Sequence, residues 1–112
     1  NSKNKRVYCL MTIEAKVLPG SQIQNEYPNA SGVAFNAYVF ASNKKEAKGY
    51  LISYLNNNKY KLIEIVNGIH RFADVYWTRK KKKREAEMLA NEALNSGEVI
   101  PDVFYFWEDK YE

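Results

Sequence analysis

The segment from Val33 to Ile65 constrains the fold most strongly, because it contains a strand, a capped helix and a second strand in close succession. Apolar residues alternate from Val33 to Ala41, which is the period of a half-buried strand. Asn43 followed by Glu46 is typical of a capping box at the start of a helix. The apolar stripe of that helix has a 3.6-residue period and comprises Ala47, Tyr50, Leu51, Tyr54 and Leu55.

The same segment predicts the relative direction of its two strands. The run Asn56-Asn57-Asn58 predicts the end of the helix, since asparagine tolerates the left-handed conformation found there. Residues 59–66 then return as a strand rich in β-branched and aromatic side chains. A strand–helix–strand unit of this length closes right-handed, so we predict parallel strands with the helix across one face of the sheet.

An earlier strand and a long loop precede this unit. Residues 6–18 alternate apolar and polar side chains and predict a first strand, in which Cys9 lies on the same face as Ile13. Pro19-Gly20 ends that strand, and the aperiodic segment 19–32 predicts a long loop. We expect the first two strands to be antiparallel neighbours joined by this loop.

The C-terminal half of the chain predicts a second helix and further strands. Asn67-Gly68 is a strong hairpin signal, but residues 69–77 fit both a return strand and a helix. Residues 103–107 predict a last strand that is apolar on both faces and therefore central or covered. The second helix ends at Ser96-Gly97. Its apolar stripe comprises Ala86, Leu89, Ala90, Ala93 and Leu94.

Together these elements predict an α+β fold in the order β-β-α-β-(β)-α-β. We expect a single domain over residues 1–112, since a chain of this length supplies one hydrophobic core. The sheet is predicted to be mostly antiparallel, with four to five strands and two helices packed on one face. The polar residues 1–6 are expected to form a frayed tail.

The charge of the chain is concentrated in two places. The formal net charge is +4, but the run from Arg79 to Arg84 alone carries +6, so the remainder sums to −2. Residues 98–112 contain five acids against Lys110, a local charge of −4. Lysines at a helix N-terminus oppose the helix dipole, so the basic run contributes nothing to the fold. A basic cluster at residues 79–84 and an acidic segment at residues 98–112 are expected to steer a charged partner during association.

The sequence contains no cofactor-binding or catalytic motif. It has no P-loop, no dinucleotide-binding glycine motif, no nucleophile elbow and no paired-histidine zinc motif. His70 is the only histidine and is distant from the only cysteine, Cys9, so a zinc site lacks ligands. No apolar run approaches the roughly 20 residues of a membrane helix. We therefore expect a non-enzymatic, cytoplasmic protein without a metal, a cofactor or a membrane association.

The aromatic residues indicate protein binding. Nine Tyr, five Phe and two Trp exceed what a core of this size buries, and Tyr and Trp are enriched at binding hot spots. The aromatic candidates are Tyr8, Tyr27, Tyr38, Tyr76, Trp77, Tyr105, Trp107 and Tyr111. The predicted partner-binding residues combine one loop tyrosine with the acidic, aromatic end of the chain: Tyr27, Trp107, Glu108, Asp109, Tyr111 and Glu112.

A second interpretation assigns nucleic-acid binding to the basic run, since cationic side chains bind phosphates with release of counterions. No recognition helix, zinc finger or aromatic RNA-binding motif accompanies the run, so this interpretation ranks below protein binding. The six residues are Arg79, Lys80, Lys81, Lys82, Lys83 and Arg84.

The helix with its Asn43 and Glu46 cap, the strand within residues 58–65 (NKYKLIEI) and the acidic aromatic end resemble small bacterial immunity proteins of contact-dependent growth inhibition systems. The resemblance implies a small α+β protein that binds one cognate toxin domain of the nuclease type and neutralises it. Immunity proteins for nucleases tend to be acidic, and this chain departs from that pattern with its net charge of +4. Its acidic end would then mimic phosphates in front of a basic nuclease cleft.

Overall fold

The structure, a computed structural model, describes residues 6–109 and is built around one long hairpin. Its strands, β1 (Arg6–Val17) and β2 (Ala30–Ala41), have 12 residues each and pair antiparallel, which confirms the prediction. The connection between them is shorter than the predicted loop 19–32, because β2 already begins at Ala30. A single helical turn, α1 (Ile23–Glu26), occupies its middle.

The first strand begins at Arg6, as its predicted range of residues 6–18 states. Arg6 was also counted in the predicted tail over residues 1–6, but it pairs with Ala41 of β2 and belongs to β1. Residues 1–5 lie outside the described part of the chain.

Each edge of the sheet consists of two short strand segments in line. On one side, β3 (Tyr60–Ile65) and β4 (Ile69–Arg71) both pair antiparallel with β1. On the other side, β5 (Ile100–Pro101) and β6 (Tyr105–Glu108) both pair antiparallel with β2. The sheet is therefore four strands wide, with β1 and β2 in the centre.

This arrangement corrects the hairpin at Asn67-Gly68. The turn is present, and Gly68 has the positive φ of 83° that glycine permits. It does not fold β4 back onto β3, because both segments pair with successive parts of the longer strand β1. Residues 69–77, for which strand and helix were both open, contain β4, a 3₁₀ turn at Phe72–Asp74 and irregular chain.

The helices lie on opposite faces of the sheet. Helix α2 (Lys44–Asn57) connects β2 to β3 and packs on the face that includes Val39. Helix α3 (Lys80–Ser96) packs on the face that includes Tyr38. Neighbouring residues of a strand point to opposite faces, so the two helices enclose the sheet between them.

The α+β class and the mostly antiparallel sheet are confirmed. The two helices, which were predicted on one face, lie one on each, because Tyr38 and Ile100 give the second face its own apolar area. Strands β2 and β3 are parallel to each other, as predicted, since both run antiparallel to β1 between them.

A β-bulge in β1 changes the face on which its side chains lie. The pairing of β1 with β2 shifts between residues 10 and 13, where β1 has one extra residue. Before the bulge, Cys9 pairs with Tyr38 and lies under α3, whereas after it Ile13 pairs with Phe35 and lies under α2. Simple alternation wrongly predicted Cys9 and Ile13 on one face.

The ends of α2 confirm one prediction and correct another. The side chain of Asn43 accepts a hydrogen bond from Glu46 N–H at 2.8 Å, as expected for the cap. The Glu46 carboxylate accepts one from Ser42 N–H at 3.0 Å. At the other end, the left-handed residue is Lys59, with a φ of 62°, and not one of the asparagines before it.

Candidate protein-binding surface

Strand β6 brings the described members of the predicted partner-binding set to one edge of the sheet. It contains Trp107 and Glu108, and Asp109 follows it directly. Within residues 6–109 it pairs with β2 alone, and all four of its residues are exposed. The last strand was expected to be central or covered, and that expectation is wrong. Tyr111 and Glu112 lie outside the described residues.

On the α2 side of the sheet, β6 contributes an aromatic contact that is anchored to the core. Phe106 lies against Tyr27, the predicted loop residue, with ring centroids 4.3 Å apart. Tyr27 follows α1 and remains 43% exposed. Behind this pair, Phe104 stacks on the buried Phe35 with centroids 4.4 Å apart. The core therefore holds one side of the aromatic cluster while the other side faces solvent.

These rings form one wall of a groove of about 720 Å³ between α1, the end of α2 and the β5–β6 connection. Its rim is polar and includes Asn25, Glu26 and Lys59. Burial raises the pKa of Tyr54, with a smaller contribution from Tyr60, and burial also raises the pKa of Tyr60. Both hydroxyls therefore keep their protons at neutral pH and can donate hydrogen bonds. The aromatic lining comprises Tyr27, Tyr54, Tyr60, Phe104 and Phe106.

On the α3 side of the sheet, the indole ring of Trp107 lies over Gly32, its partner in the antiparallel pairing of β2 with β6. A Cβ at Gly32 would be within 3.0 Å of three atoms of the indole ring, Cζ2, Cε2 and Cη2. Glycine is needed here for space, because its φ is not in the left-handed range. Trp107 is 37% exposed and Tyr105 is 69% exposed. The outer faces of both rings are thus available for contact.

Glu108 and Asp109 lie against the first residues of β2. Glu108 pairs with Ala30, and Asp109 N–H donates a hydrogen bond to Ser31 Oγ at 3.2 Å. Both acids line a depression of about 650 Å³, to which Lys16 also contributes. The backbones of both acids are therefore held beside the aromatic residues of β6, and Lys16 offsets part of their charge.

The basic run forms the projecting start of α3. The helix begins at Lys80, has no side-chain cap at Arg79 and contains no acid in its first turn. Its first buried residue is Ala86, so the first turns extend beyond the core. All six residues are exposed: Arg79, Lys80, Lys81, Lys82, Lys83 and Arg84.

A row of hydrogen-bonded polar side chains crosses the sheet at the bulge. Asn67 Nδ2 donates to Thr12 Oγ1 at 3.1 Å, and Thr12 N–H donates to Asn36 Oδ1. Asn36 in turn donates to both carboxylate oxygens of Asp102, at 2.8 and 3.1 Å. Burial raises the pKa of Asp102, while these bonds and the charge of Lys82 lower it. The row thus links the turn between β3 and β4 at one edge of the sheet to the connection between β5 and β6 at the other edge.

Cys9 and His70 pair across β1 and β4. Cys9 is 1% exposed, and burial raises the pKa of its thiol to about 11, so it is protonated and weakly nucleophilic at neutral pH. His70 is exposed, with Nε2 2.7 Å from the Asn67 carbonyl oxygen. In the part of the chain that is described, no three His, Cys, Asp or Glu side chains are grouped to hold a metal ion. No helix of that part is long and apolar enough to cross a membrane.

Sequence reasoning found some residues of this surface and missed others. Tyr105 was named as an aromatic candidate but not assigned to the site, and Phe106 was not named. Of the other candidates, Tyr8 and Tyr38 are core residues. The missing signal is strand pairing, because only the alignment of β6 with β2 shows which aromatic rings lie beside Tyr27 and Gly32.

Comparison with known proteins provides no counterpart for this surface. No protein-family model, no curated protein and no solved structure matches the chain. The functional interpretation therefore depends on the geometry of the surface and on the chemistry of its side chains.

Proposed function

We propose that this protein is a non-enzymatic protein-binding module and that its partner binds around β6. The observation that carries the proposal is an edge strand with exposed aromatic rings on both faces and two carboxylates at its end. Such rings supply contact area and hydrogen bonds at interfaces, and an unpaired edge offers backbone groups to another chain. The surface, called the β6 surface below, comprises Tyr27, Tyr105, Phe106, Trp107, Glu108 and Asp109.

The resemblance to immunity proteins favours a cognate nuclease-type toxin domain as the partner. A nuclease presents a basic cleft to phosphates, and Glu108 and Asp109 offer charges of the complementary sign. Because Lys16 shares their depression, the acids are expected to guide association more than they hold the complex. The aromatic residues are expected to supply most of the affinity.

The test compares capture of proteins from the native host by the wild type and by matched variants. Phe106→Ala and Tyr105→Ala remove exposed rings from the β6 surface, while Met88→Ala removes a side chain that is 72% exposed on α3. We expect one protein to bind the wild type and Met88→Ala but not the other two variants. That protein, expressed alone, should be toxic to cells and should be neutralised by co-expression of the wild type.

Two results would contradict the proposal. One is the recovery of the same proteins by all variants, which would remove the β6 surface from binding. The other is the recovery of nucleic acid alone, which would favour the second candidate function. The observation that favours this second candidate is the exposed basic start of α3, which stabilises neither the core nor its own helix.

A further inference from the structure

Part of the sheet face that α3 occupies is left uncovered. Helix α3 packs on Cys9, Tyr38 and Ile100, which belong to the first part of β1, the last part of β2 and β5. At the other end of the same face, Glu14 and Lys16 alternate with residues of β1 that lie under α2, so they point away from α2. Among residues 6–109, no helix packs on this end of the face.

The strand register arranges the side chains of this open face in two rows. Both rows run across all four strands of the sheet, in the order β3, β1, β2 and β6. The first, the acidic row, consists of Glu64, Glu14, Ala34 and Tyr105. The second, the basic row, consists of Lys61, Lys16, Gly32 and Trp107. Each row thus has two like charges at one end and an aromatic ring at the other.

This arrangement is unfavourable within one molecule. Glu14 lies directly opposite Glu64, and Lys16 lies directly opposite Lys61. Like charges in directly opposite positions destabilise a pair of strands, whereas opposite charges stabilise it. Exchanging one Glu with one Lys on either strand would produce two favourable pairs. The fold therefore does not explain the separation of the charges into two rows.

We propose that the open face binds the same face of a second copy of the chain. A two-fold axis parallel to the rows and midway between them lays the acidic row of one copy over the basic row of the other. Glu14 then faces the partner's Lys16, and Tyr105 faces the partner's Trp107. The same rotation repeats every contact in reverse, which is the property of an isologous interface.

The size of the face indicates a weak dimer. Four strands about 4.8 Å apart and two rows about 7 Å apart define about 300 Å² of sheet per copy. Stable interfaces bury about 800 Å² per partner, so this one is transient and is populated at high protein concentration. Its exposed ion pairs are screened by salt, so dissociation is expected as the salt concentration rises. The dimer covers Tyr105 and Trp107 and would compete with a partner at the β6 surface.

The test reverses both charges of one row at a time and measures self-association by sedimentation velocity over a range of protein and salt concentrations. The first variant, Lys16→Glu with Lys61→Glu, makes the face acidic, and the second, Glu14→Lys with Glu64→Lys, makes it basic. We expect concentration-dependent association of the wild type at low salt, its loss in each variant alone, and its recovery when both variants are mixed. Lys44→Glu with Lys48→Glu on the exposed side of α2 changes the net charge as much as the first variant does and should still associate.

Each possible outcome supports or overturns the dimer. A wild type that remains monomeric at about millimolar concentration and low salt overturns it. So does association that persists in either face variant, or a mixture of the two variants that fails to associate, provided that circular dichroism shows both to be folded. The proposed function is judged separately, because capture of a partner by the β6 surface does not require the dimer.

Discussion

The contact between Gly32 and Trp107 predicts a strongly non-additive pair of substitutions. A methyl group at Gly32 would be within 3.0 Å of three ring atoms, so Gly32→Ala must displace the indole ring from its place. The backbone at this position does not have a positive φ, so alanine itself is not strained there. The cost of Gly32→Ala therefore comes from the lost packing of Trp107.

The exposed fraction of Trp107 gives the magnitude. With 37% of the side chain exposed, about two thirds of its surface is buried. For about 200 Å² of side-chain surface and about 25 cal/mol per Å², that burial contributes about 3 kcal/mol. Because an edge strand can partly adjust, we expect Trp107→Ala and Gly32→Ala each to cost about 2 kcal/mol. In the Trp107→Ala background, alanine at position 32 fits and should stabilise by about 0.5–1 kcal/mol.

The double variant should then be destabilised by about 1–1.5 kcal/mol, where additive effects would give about 4 kcal/mol. Urea denaturation followed by far-ultraviolet circular dichroism measures all four free energies of unfolding, at a concentration low enough to avoid association. In the single variant Gly32→Ala, the fluorescence emission should also shift to the red as Trp107 enters solvent. An equal cost of Gly32→Ala in both backgrounds would refute the reasoning, since the glycine would then be required for another reason.

Four further outcomes are expected. Lys59→Gly should raise the free energy of unfolding in urea by about 1 kcal/mol, because residue 59 has a φ of 62° that glycine adopts without strain. If nucleic acid binds the basic run, replacing Lys80 to Lys83 with glutamine should weaken binding of all sequences and flatten the dependence of affinity on salt, as measured by fluorescence anisotropy. Burial raises the pKa of Asp102 above its ordinary value of 3.8, so the folded state binds a proton there more tightly than the unfolded state does. The resulting stabilisation is fully present below pH 3.8 and is lost as the pH rises through the folded-state pKa. In urea titrations, the wild type should therefore gain stability relative to Asp102→Asn as the pH falls from the folded-state pKa to 3.8. Cys9 should react with a thiol reagent at neutral pH slowly in the native protein and rapidly in urea, because burial raises its pKa to about 11.

The sequence predicted those features that depend on neighbours within one or two helical turns. The Asn43 cap of α2 follows from side-chain spacing along one helix and is confirmed. The predicted stripe is confirmed for Ala47, Leu51 and Leu55, whereas its member Tyr50 is 40% exposed. The left-handed residue at the end of α2 was misplaced by one position, because the asparagine preference is a tendency that the following strand overrides. The face of each β1 side chain was not predictable by alternation, because the bulge near Thr12 depends on pairing with β2.

The candidate site shows the same division between local and long-range information. Trp107, Glu108 and Asp109 were predicted from composition alone, since three consecutive residues of suitable type need no register. Their position on an exposed edge was not predicted. A run of five apolar residues is typical of a central strand, but the same sequence pattern also occurs in an edge strand that an aromatic loop partly covers. Tyr27 lies beside β6, where its ring packs on Phe106, a contact that only the folded structure shows.

The two charged rows of the open face also depend on strand pairing. Glu14, which is half-buried, and Lys16, which is exposed, are ordinary outward positions in an alternating strand. Lys61 and Glu64 are three residues apart, a spacing that alternation assigns to opposite faces. A bulge at Ile63 in the pairing of β3 with β1 puts both on one face and sets like charge against like charge. Neither bulge has a signature in the sequence, yet together they determine which charges meet. The self-complementary surface exists only when β1 and β3 are paired as in the folded protein. Its test must therefore reverse the charges of both residues of a cross-strand pair, and not those of one residue at a time.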